Sequence, residues 1–295
     1  MSFLVRAPGK VNLTLFLGPR RPDDRHELVT LFESVSLADE LSAAVRAHPP
    51  DVVECDELDD VNLAAVALER LRGGGWDGPP LHLRLAKRIP VAGGMGGGSA
   101  DAAAVLRLAH ELRPVPDRTL IALAAELGAD VPSQLLPGLA IGTGAGDLVH
   151  AQPPLAPHAL LLVPQPYNLA TREVYAEADR LGLPCDTTEL ERKLDELQAG
   201  LSPDGRLPEP LIVNELQPAA LSLLPQIEEA IDAVREAGAD HALVSGSGPT
   251  VFGLFWGEDG AQRAAHSAAS LRDRFPKLTT AMPIGAEFGM PRRTD

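Results

Sequence analysis

The feature that most constrains the fold is a glycine-rich run at residues 90–99, PVAGGMGGGS, which leads directly into a helical pattern. Five of the six residues at 93–98 are glycine, so the backbone there can approach a ligand closely. Apolar residues then recur at helical spacing and predict a helix over 99–112, with Asp101 in its first turn. Because the free amides and the dipole at a helix N-terminus favour an anion, this glycine loop predicts a phosphate site.

Known phosphate-binding motifs narrow this interpretation. No Gly-Lys-Ser or Gly-Lys-Thr follows the loop, as a Walker A motif requires, and the spacing is not that of a dinucleotide fold. Neither His-Arg-Asp nor Asp-Phe-Gly occurs, which excludes a protein kinase on motif grounds. The alternative is a flexible turn between a strand and a helix, but five glycines are costly for a turn alone.

The other patterns predict strands and helices in mixed order. The predicted strands are 3–17 with a Pro-Gly interruption, 28–37, 42–47, 81–86, 158–163, a hairpin within 243–256 and one last strand. The predicted helices are 61–72, 119–127, 171–181, 188–198, 224–237 and 260–274, with Gly128 as a left-handed cap of the second. The mixture indicates an α+β or mixed α/β chain and not a doubly wound parallel fold.

Two domains are expected from the length of 295 residues. Residues 137–154 are rich in glycine and proline and poor in helix signals, so we place the boundary near 150. The predicted domains are 1–150, which contains the glycine loop, and 151–295.

The charge balance limits the classes of partner. Asp and Glu number 41 against 26 Lys and Arg, a net charge of −15 that repels nucleic acid and anionic membranes. Two distant cysteines suggest neither a disulfide framework nor a zinc site. No apolar run approaches the roughly 18 residues of a membrane span, and the start of the sequence lacks a signal-peptide pattern. We therefore expect a cytoplasmic protein without nucleic-acid or membrane partners.

Three charged residues are candidates for chemistry, each with a structural alternative. Lys10 lies in the segment APGKVN at 7–12 and Lys87 lies shortly before the glycine loop. An ammonium near a transferring phosphoryl group can offset its charge, but isolated lysines are usually solvated. Asp130 precedes Val-Pro and could equally be a helix N-cap.

Three segments resemble, in order and spacing, the motifs of the GHMP small-molecule kinases. They are APGKVN at 7–12, the glycine loop with ADAAA at 100–104, and SGSGPT at 245–250. Further local matches are His26 with 28–32, Asn62 with Leu63, 87–90, 128–132 and 140–144. Within that superfamily the chain looks most like the members that phosphorylate a cytidine diphosphate-linked polyol.

The resemblance implies a fold and a set of site residues. The N-terminal domain would be like ribosomal protein S5 domain 2, the C-terminal domain would be ferredoxin-like, and the active site would lie between them. Lys10 and Asp130 would be catalytic, and ATP would be used with Mg²⁺, whose protein ligands stay unassigned. The implied nucleotide-binding residues are Asn62, Lys87, Pro90, Gly93, Gly94, Gly96, Gly97, Gly98 and Ser99. The implied substrate-binding residues are Asn12, His26, Tyr175, Ser247 and Gly248.

The chain departs from the pattern of these members at two places. They usually carry Asp-Gly-Tyr-His where this chain has Asp-Asp-Arg-His, so Arg25 replaces an aromatic that stacks on cytosine. They usually carry Asp-Val-Pro-Phe-Phe where Ser133 and Gln134 stand here. An arginine can still stack its guanidinium plane on a base. We expect the base between Tyr175 and the segment that carries Arg25 and His26.

The resemblance implies ATP-dependent phosphorylation of the 2-hydroxyl of such a polyol in non-mevalonate isoprenoid biosynthesis. One alternative is a GHMP kinase for another alcohol, such as homoserine or mevalonate, and His26 and Tyr175 argue against it. The other is a nucleotide-binding paralogue without catalysis, and Lys10 with Asp130 argues against that. A monomer or a homodimer is expected.

Overall fold

The computed structural model describes residues 1–55, 62–91 and 93–295 and shows an α+β chain, as predicted. The strands, in chain order, are β1 Ser2–Arg20, β2 His26–Val45, β3 Val52–Glu54, β4 Leu81–Ala86, β5 Leu139–Thr143, β6 Leu148–Ala151, β7 His158–Val163, β8 Val213–Asn214, β9 His241–Val244, β10 Val251–Trp256, β11 Thr279–Ala281 and β12 Arg292–Arg293. The helices are α1 Leu63–Gly73, α2 Gly97–Leu112, α3 Asp117–Leu127, α4 Val131–Leu135, α5 Thr171–Leu181, α6 Thr187–Gly200, α7 Gln217–Leu223, α8 Ile227–Glu236 and α9 Gly260–Leu271. Short 3₁₀ turns lie at Glu209–Leu211 and Ala286–Gly289.

The strands form two sheets. The first has the order β12-β1-β2-β4-β3, with β5 paired to β2, β6 to β5 and β8 to β1. The second has the order β11-β7-β10-β9. The boundary near 150 stays a prediction: β6 ends at Ala151 and β7 begins at His158, while β8 and β12 return to the first sheet.

The Pro-Gly interruption predicted in the first strand is wrong. β1 runs without a break and pairs antiparallel with β2, and the pairing register shifts between Pro8 and Lys10. Such a bulge absorbs an extra residue and bends the strand while the pairing continues. The amide of Lys10 then donates to the carbonyl of Met95 at 3.0 Å, which holds the glycine loop against β1. The strands predicted at 28–37 and 42–47 are likewise one strand, β2.

Some of the predicted helix and strand boundaries agree with the structure and others do not. The strand predicted at 81–86 is confirmed as β4. The helix predicted at 224–237 is wrong in extent, because α7 ends at Leu223 and α8 begins only at Ile227. The left-handed cap is also wrong, since Gly128 has φ 161°, which is extended backbone. The predicted start of the first helix at residue 61 lies outside the described residues, and α1 begins at Leu63.

Three buried clusters hold the elements together. One joins the first sheet to α1 and α2, and a second joins the second sheet to α5, α7, α8 and α9. The third lies between the sheets, where Val11 and Leu31 share a cluster with Leu160 and Phe252. In the part of the chain that is described, no helix has the length and apolar character to span a bilayer.

Candidate active site

A cavity of about 880 Å³ lies where the glycine loop, β1, β2, α5 and the turn at 245–250 meet. It gathers nearly all the residues that the sequence selected: Lys10, Asn12, His26, Asn62, Lys87, Pro90, Gly93, Gly94, Gly96, Gly97, Gly98, Ser99, Asp130, Tyr175 and Ser247. Their individual roles stay predictions. Gly248 is not among the lining residues. A Cβ on it would meet Val244 at 2.8 Å, so its α-carbon packs against that side chain, and its assignment to the substrate stays a prediction.

The glycine loop is folded for close backbone contacts. Gly94 has φ +75°, and a Cβ there would lie 2.6 Å from the carbonyl oxygen of Ser245. Gly96 has φ +68° and is the N-cap of α2, with no side-chain bond at the cap. The helix therefore begins two residues before the predicted start, and Asp101 lies beyond its first turn. A Cβ on Gly98 would meet no protein atom within 4 Å, so the opening amides of α2 border open space.

Lys10 is a buried ammonium with polar contacts on several sides. Its Nζ donates to Oδ1 of Asn12 at 2.9 Å and to the carbonyl of Gly94 at 3.3 Å. Nδ2 of Asn12 donates to Oγ1 of Thr30 at 2.7 Å, and that hydroxyl donates to the backbone of Thr14. This chain of bonds fixes the ammonium at the mouth of the glycine loop.

Asp130 supplies the carboxylate of this group. Its Oδ2 lies 3.3 Å from Nζ of Lys10, and its side chain is 36% exposed against 5% for the lysine. Asp130 stands at the N-cap position of α4 but makes no side-chain cap bond, so the interpretation of Asp130 as a helix cap is wrong. An acceptor that faces the cavity and touches a fixed cation can bind or orient a hydroxyl group.

Lys87, unlike Lys10, binds two buried carboxylates. Its Nζ bonds the buried carboxylates of Asp39 and Asp101, the latter at 2.6 Å. Burial raises the pKa of Asp101 from 3.8 to about 7, with Asp39 adding repulsion and Lys87 opposing the rise. Burial lowers the pKa of Lys87, but the two carboxylates outweigh it, so its pKa is raised. Lys87 is therefore held by two carboxylates, and its assignment to the nucleotide stays a prediction.

Sequence reasoning missed Asp39 and placed Asp101 only as a dipole partner. Asp39 also accepts the backbone amide of Ile89 at 2.8 Å, which ties the segment before the glycine loop to β2. Asp39 and Lys87 are 48 residues apart, so no local signal connects them.

The opposite end of the cavity is aromatic. The rings of His26 and Tyr175 stack with centroids 5.2 Å apart and an interplanar angle of 27°. The two rings leave no room for a base between them, and the placement of a base between Tyr175 and the segment that carries Arg25 and His26 stays a prediction. Burial, and after it the Asp130 carboxylate, raises the pKa of Tyr175.

Asn62 lines the cavity and is also the N-cap of α1. Its Oδ1 accepts the amide of Ala64 at 2.9 Å and so caps α1. Its Nδ2 is buried and has no hydrogen-bond partner among residues 1–55, 62–91 and 93–295. Since an unpaired buried donor costs free energy, a ligand acceptor is the natural partner for this atom.

The departures from the family pattern have local structural accounts. Arg25 lines the cavity, and its guanidinium pairs with Asp23 at 2.8 Å and lies 3.9 Å from Asp147. Ser133 donates to the backbone carbonyl of Asp130 at 2.8 Å, which steadies the first turn of α4. Nothing in the structure explains the buried amide of Gln134, which has no side-chain partner among the described residues.

The arrangement is that of a small-molecule phosphotransferase. Residues 61–138 match the family described as GHMP kinases N terminal domain, and residues 186–271 match GHMP kinases C terminal. The chain belongs to the GHMP kinases, and its two-domain fold is theirs.

Curated relatives carry one more specific name. A 4-diphosphocytidyl-2-C-methyl-D-erythritol kinase of Mycolicibacterium gilvum is 44% identical over 84% of this chain and 80% of its own length. The enzyme of that name from Streptomyces coelicolor is 40% identical over 98% of both chains. A crystal structure of 4-(cytidine 5'-diphospho)-2C-methyl-D-erythritol kinase has a TM-score of 0.73 at 33% identity, covering 96% of this chain and 100% of that one. Homoserine kinase from Cytophaga hutchinsonii shares the fold, with a TM-score of 0.69 at 18% identity over 99% of this chain and 96% of that one.

Proposed function

We propose that this GHMP kinase transfers the γ-phosphoryl group of ATP to the 2-hydroxyl of 4-diphosphocytidyl-2-C-methyl-D-erythritol, a step of non-mevalonate isoprenoid biosynthesis. The observation that carries the proposal is that one cavity joins a helix N-terminus, the Lys10–Asp130 pair and the stacked His26 and Tyr175 rings. Relatives of that name, 39–44% identical to this chain, support the choice of substrate.

The triphosphate would lie on the glycine loop. Amides at the start of α2 meet its negative charge, and Gly98 leaves room for the approach. Nδ2 of Asn62, which has no hydrogen-bond partner among the described residues, would donate to the nucleotide. Lys87 would act on this site through Asp39 and Asp101, by holding the segment that leads into the loop.

Magnesium is the metal we propose with ATP, where it would offset the negative charge of the phosphate groups. Mg²⁺ usually keeps several waters and takes one or two carboxylates. Over the described ranges there is no group of three or more His, Cys, Asp or Glu that could hold a metal. Oδ1 of Asp101 is buried on the cavity without a hydrogen-bond partner in those ranges, so this carboxyl and that of Asp130 are the protein oxygens we assign to the ion.

Asp130 and Lys10 would act on the reacting groups. The Asp130 carboxylate would accept or orient the proton of the substrate hydroxyl as that oxygen attacks phosphorus. The Lys10 ammonium would offset negative charge on the transferring group. Asn12 would hold Lys10 in place, and Ser247, whose Oγ lies 3.0 Å from Oγ1 of Thr171, would contact the substrate.

The cytidine end of the substrate would lie against Tyr175, with its edge toward His26. Arg25, in the position of the usual tyrosine, would flank the base. We further propose that the enzyme is cytoplasmic and works as a monomer or homodimer. We also propose that it has no nucleic-acid or membrane partners, because its net charge of −15 repels such anionic partners.

Turnover measurements with three alcohols test the assignment. The protein is given ATP and Mg²⁺ with 4-diphosphocytidyl-2-C-methyl-D-erythritol, homoserine or mevalonate, and release of ADP is followed. We expect efficient turnover only with the first. Turnover of another alcohol alone would refute the proposed substrate, although the protein would still be a GHMP kinase. ATP binding without turnover of any of the three alcohols would indicate a non-catalytic paralogue.

A glycine substitution tests the triphosphate site. Gly98→Val should weaken ATP binding at least about tenfold, because its methyl groups would occupy space that the phosphates need. The control is Gly73→Val at the end of α1, where a Cβ also meets no atom within 4 Å but the residue does not line the cavity. Separate calorimetric titrations with ATP and a cytidine nucleotide are the measurement. If Gly98→Val lost affinity for ATP and for the cytidine nucleotide equally, the loop would support the fold and would not bind the triphosphate.

A further inference from the structure

His26 is held by a carboxylate from the other half of the chain. Its Nε2 lies 2.7 Å from Oδ1 of Asp179 on α5, although 153 residues separate them. The histidine side chain is 3% exposed and the aspartate 35%. Asp179 follows Tyr175 by one helical turn, so one face of α5 supplies both the ring that stacks on His26 and the carboxylate that binds it.

This contact decides which nitrogen of His26 carries the proton. A carboxylate only accepts hydrogen bonds, so Nε2 must be the protonated nitrogen in the pair. In the neutral ring, Nδ1 then offers a lone pair and no proton. No hydrogen bond to Nδ1 is found among residues 1–55, 62–91 and 93–295, while the residue lines the cavity. The ring therefore has an acceptor left for a ligand.

The surroundings of Asp179 keep its carboxylate available for this role. The adjacent Arg180 bonds Glu177 at 2.7 and 2.6 Å, and Arg25 bonds Asp23. Among the described residues, the side-chain contact that Asp179 makes is its hydrogen bond with His26. Stacking on Tyr175 further limits rotation of the imidazole.

We propose that Asp179 is a positioning residue that holds neutral His26 in the Nε2–H tautomer and thereby makes the site select cytosine over uracil. The inference rests on the proposed function, because it names the base of that substrate as the ligand of Nδ1. Cytosine offers its exocyclic amino group as a donor to this lone pair. Uracil presents a carbonyl oxygen at the same place, so two lone pairs would face each other.

The test compares binding of cytidine diphosphate and uridine diphosphate in mildly alkaline buffer, together with ring-nitrogen NMR of His26. The wild-type protein should bind the cytidine nucleotide at least about tenfold more tightly, and its Nε2 should carry the proton. Asp179→Asn can present either an oxygen or an NH₂ group to the ring, so both tautomers form. The preference should then fall to about twofold or less, and Asp179→Glu should restore part of it.

Glu177→Gln is the matched control. It removes a paired carboxylate from the same helix, away from the cavity, and should leave both the base preference and the NMR spectrum unchanged. An unchanged preference in Asp179→Asn, or a wild-type ring protonated on Nδ1 alone, would overturn the role of Asp179 and leave the proposed substrate standing. A wild-type protein that shows the Nε2–H tautomer but binds neither nucleotide would refute the cytidine assignment and base selection with it.

Discussion

Two buried lysines flank the glycine loop, and they use the same charge in opposite ways. Lys10 lies at the mouth of the loop with one partly exposed carboxylate, Asp130, and an amide oxygen from Asn12. Lys87 lies below the loop between two carboxylates that are 0% and 1% exposed. Both lysines line the cavity, but the carboxylate beside Lys10 is partly exposed, whereas the two beside Lys87 are buried.

From the difference between the surroundings of Lys10 and Lys87, we infer that a lysine close to the glycine loop need not bind phosphate. Around Lys87 there is one more carboxylate than cation, so the cluster cannot attract an anion through its net charge. Around Lys10 the single carboxylate balances the ammonium and stays open to the cavity. We therefore assign phosphoryl transfer to the Lys10 side and loop support to the Lys87 side.

Removal of the Lys87 charge should have the largest effect on stability. Lys87→Met leaves Asp39 and Asp101 buried without their cation, and breaking such a pair costs about 3–5 kcal/mol in the free energy of unfolding. Denaturant titration measures the loss. The double variant Lys87→Met with Asp101→Asn should regain part of it, because one buried charge is gone. No loss in the single variant would show that the cluster does not support the fold.

The pH dependence of stability should carry the signature of Asp101. Its pKa is raised to about 7 in the folded protein from 3.8, so between those values the folded state binds more protons than the unfolded state. The free energy of unfolding should therefore fall as pH rises through that window. Asp101→Asn should remove this trend, and its stability relative to wild type should grow across the window by on the order of 4 kcal/mol. Parallel pH profiles of the two proteins would contradict the assignment.

A smaller effect, on kcat, is expected when the hydrogen bond between Asn12 and Thr30, which holds Asn12 against Lys10, is removed. Thr30→Val keeps the shape but leaves Nδ2 of Asn12 without its acceptor, so kcat should fall about fivefold, equivalent to about 1 kcal/mol. Thr14→Val is the control, because its hydroxyl bonds the backbone of Leu211 and not the Lys10 group. Steady-state kinetics and thermal unfolding should separate the two: Thr14→Val should lose stability alone. A wild-type kcat in Thr30→Val would show that this bond does not position Lys10.

Local patterns in the sequence predicted those parts of the fold that depend on neighbouring residues. The strand at 81–86 and the glycine loop with its helix follow from alternation, spacing and composition. The break at Pro8 was wrong because pairing with β2 outweighs a local turn signal. The site residues could be collected from motifs, but their contacts could not, and Gly248 is not among the residues that line the cavity.

Contacts between distant segments could not be predicted in this way. The bond from Lys87 to Asp39 and the bond from His26 to Asp179 each depend on how the chain returns on itself. A carboxylate one turn after Tyr175 was visible in the sequence, but nothing local pointed it toward His26. The carboxylates of Asp39 and Asp179 determine which hydrogen bonds Lys87 and His26 can still make. The structure was therefore needed to propose different roles for the residues that the motifs selected.

The most direct test compares Asp130→Asn and Asp101→Asn in single-turnover transfer from saturating ATP to 4-diphosphocytidyl-2-C-methyl-D-erythritol. Asp130→Asn should keep the wild-type free energy of unfolding and ATP affinity but transfer phosphate about 10²- to 10⁴-fold more slowly. Asp101→Asn should stay within about tenfold of the wild-type rate, because ATP still supplies most of the ligands of the metal. A wild-type rate in Asp130→Asn, with the large loss in Asp101→Asn, would contradict the assignment of chemistry to the Lys10 side.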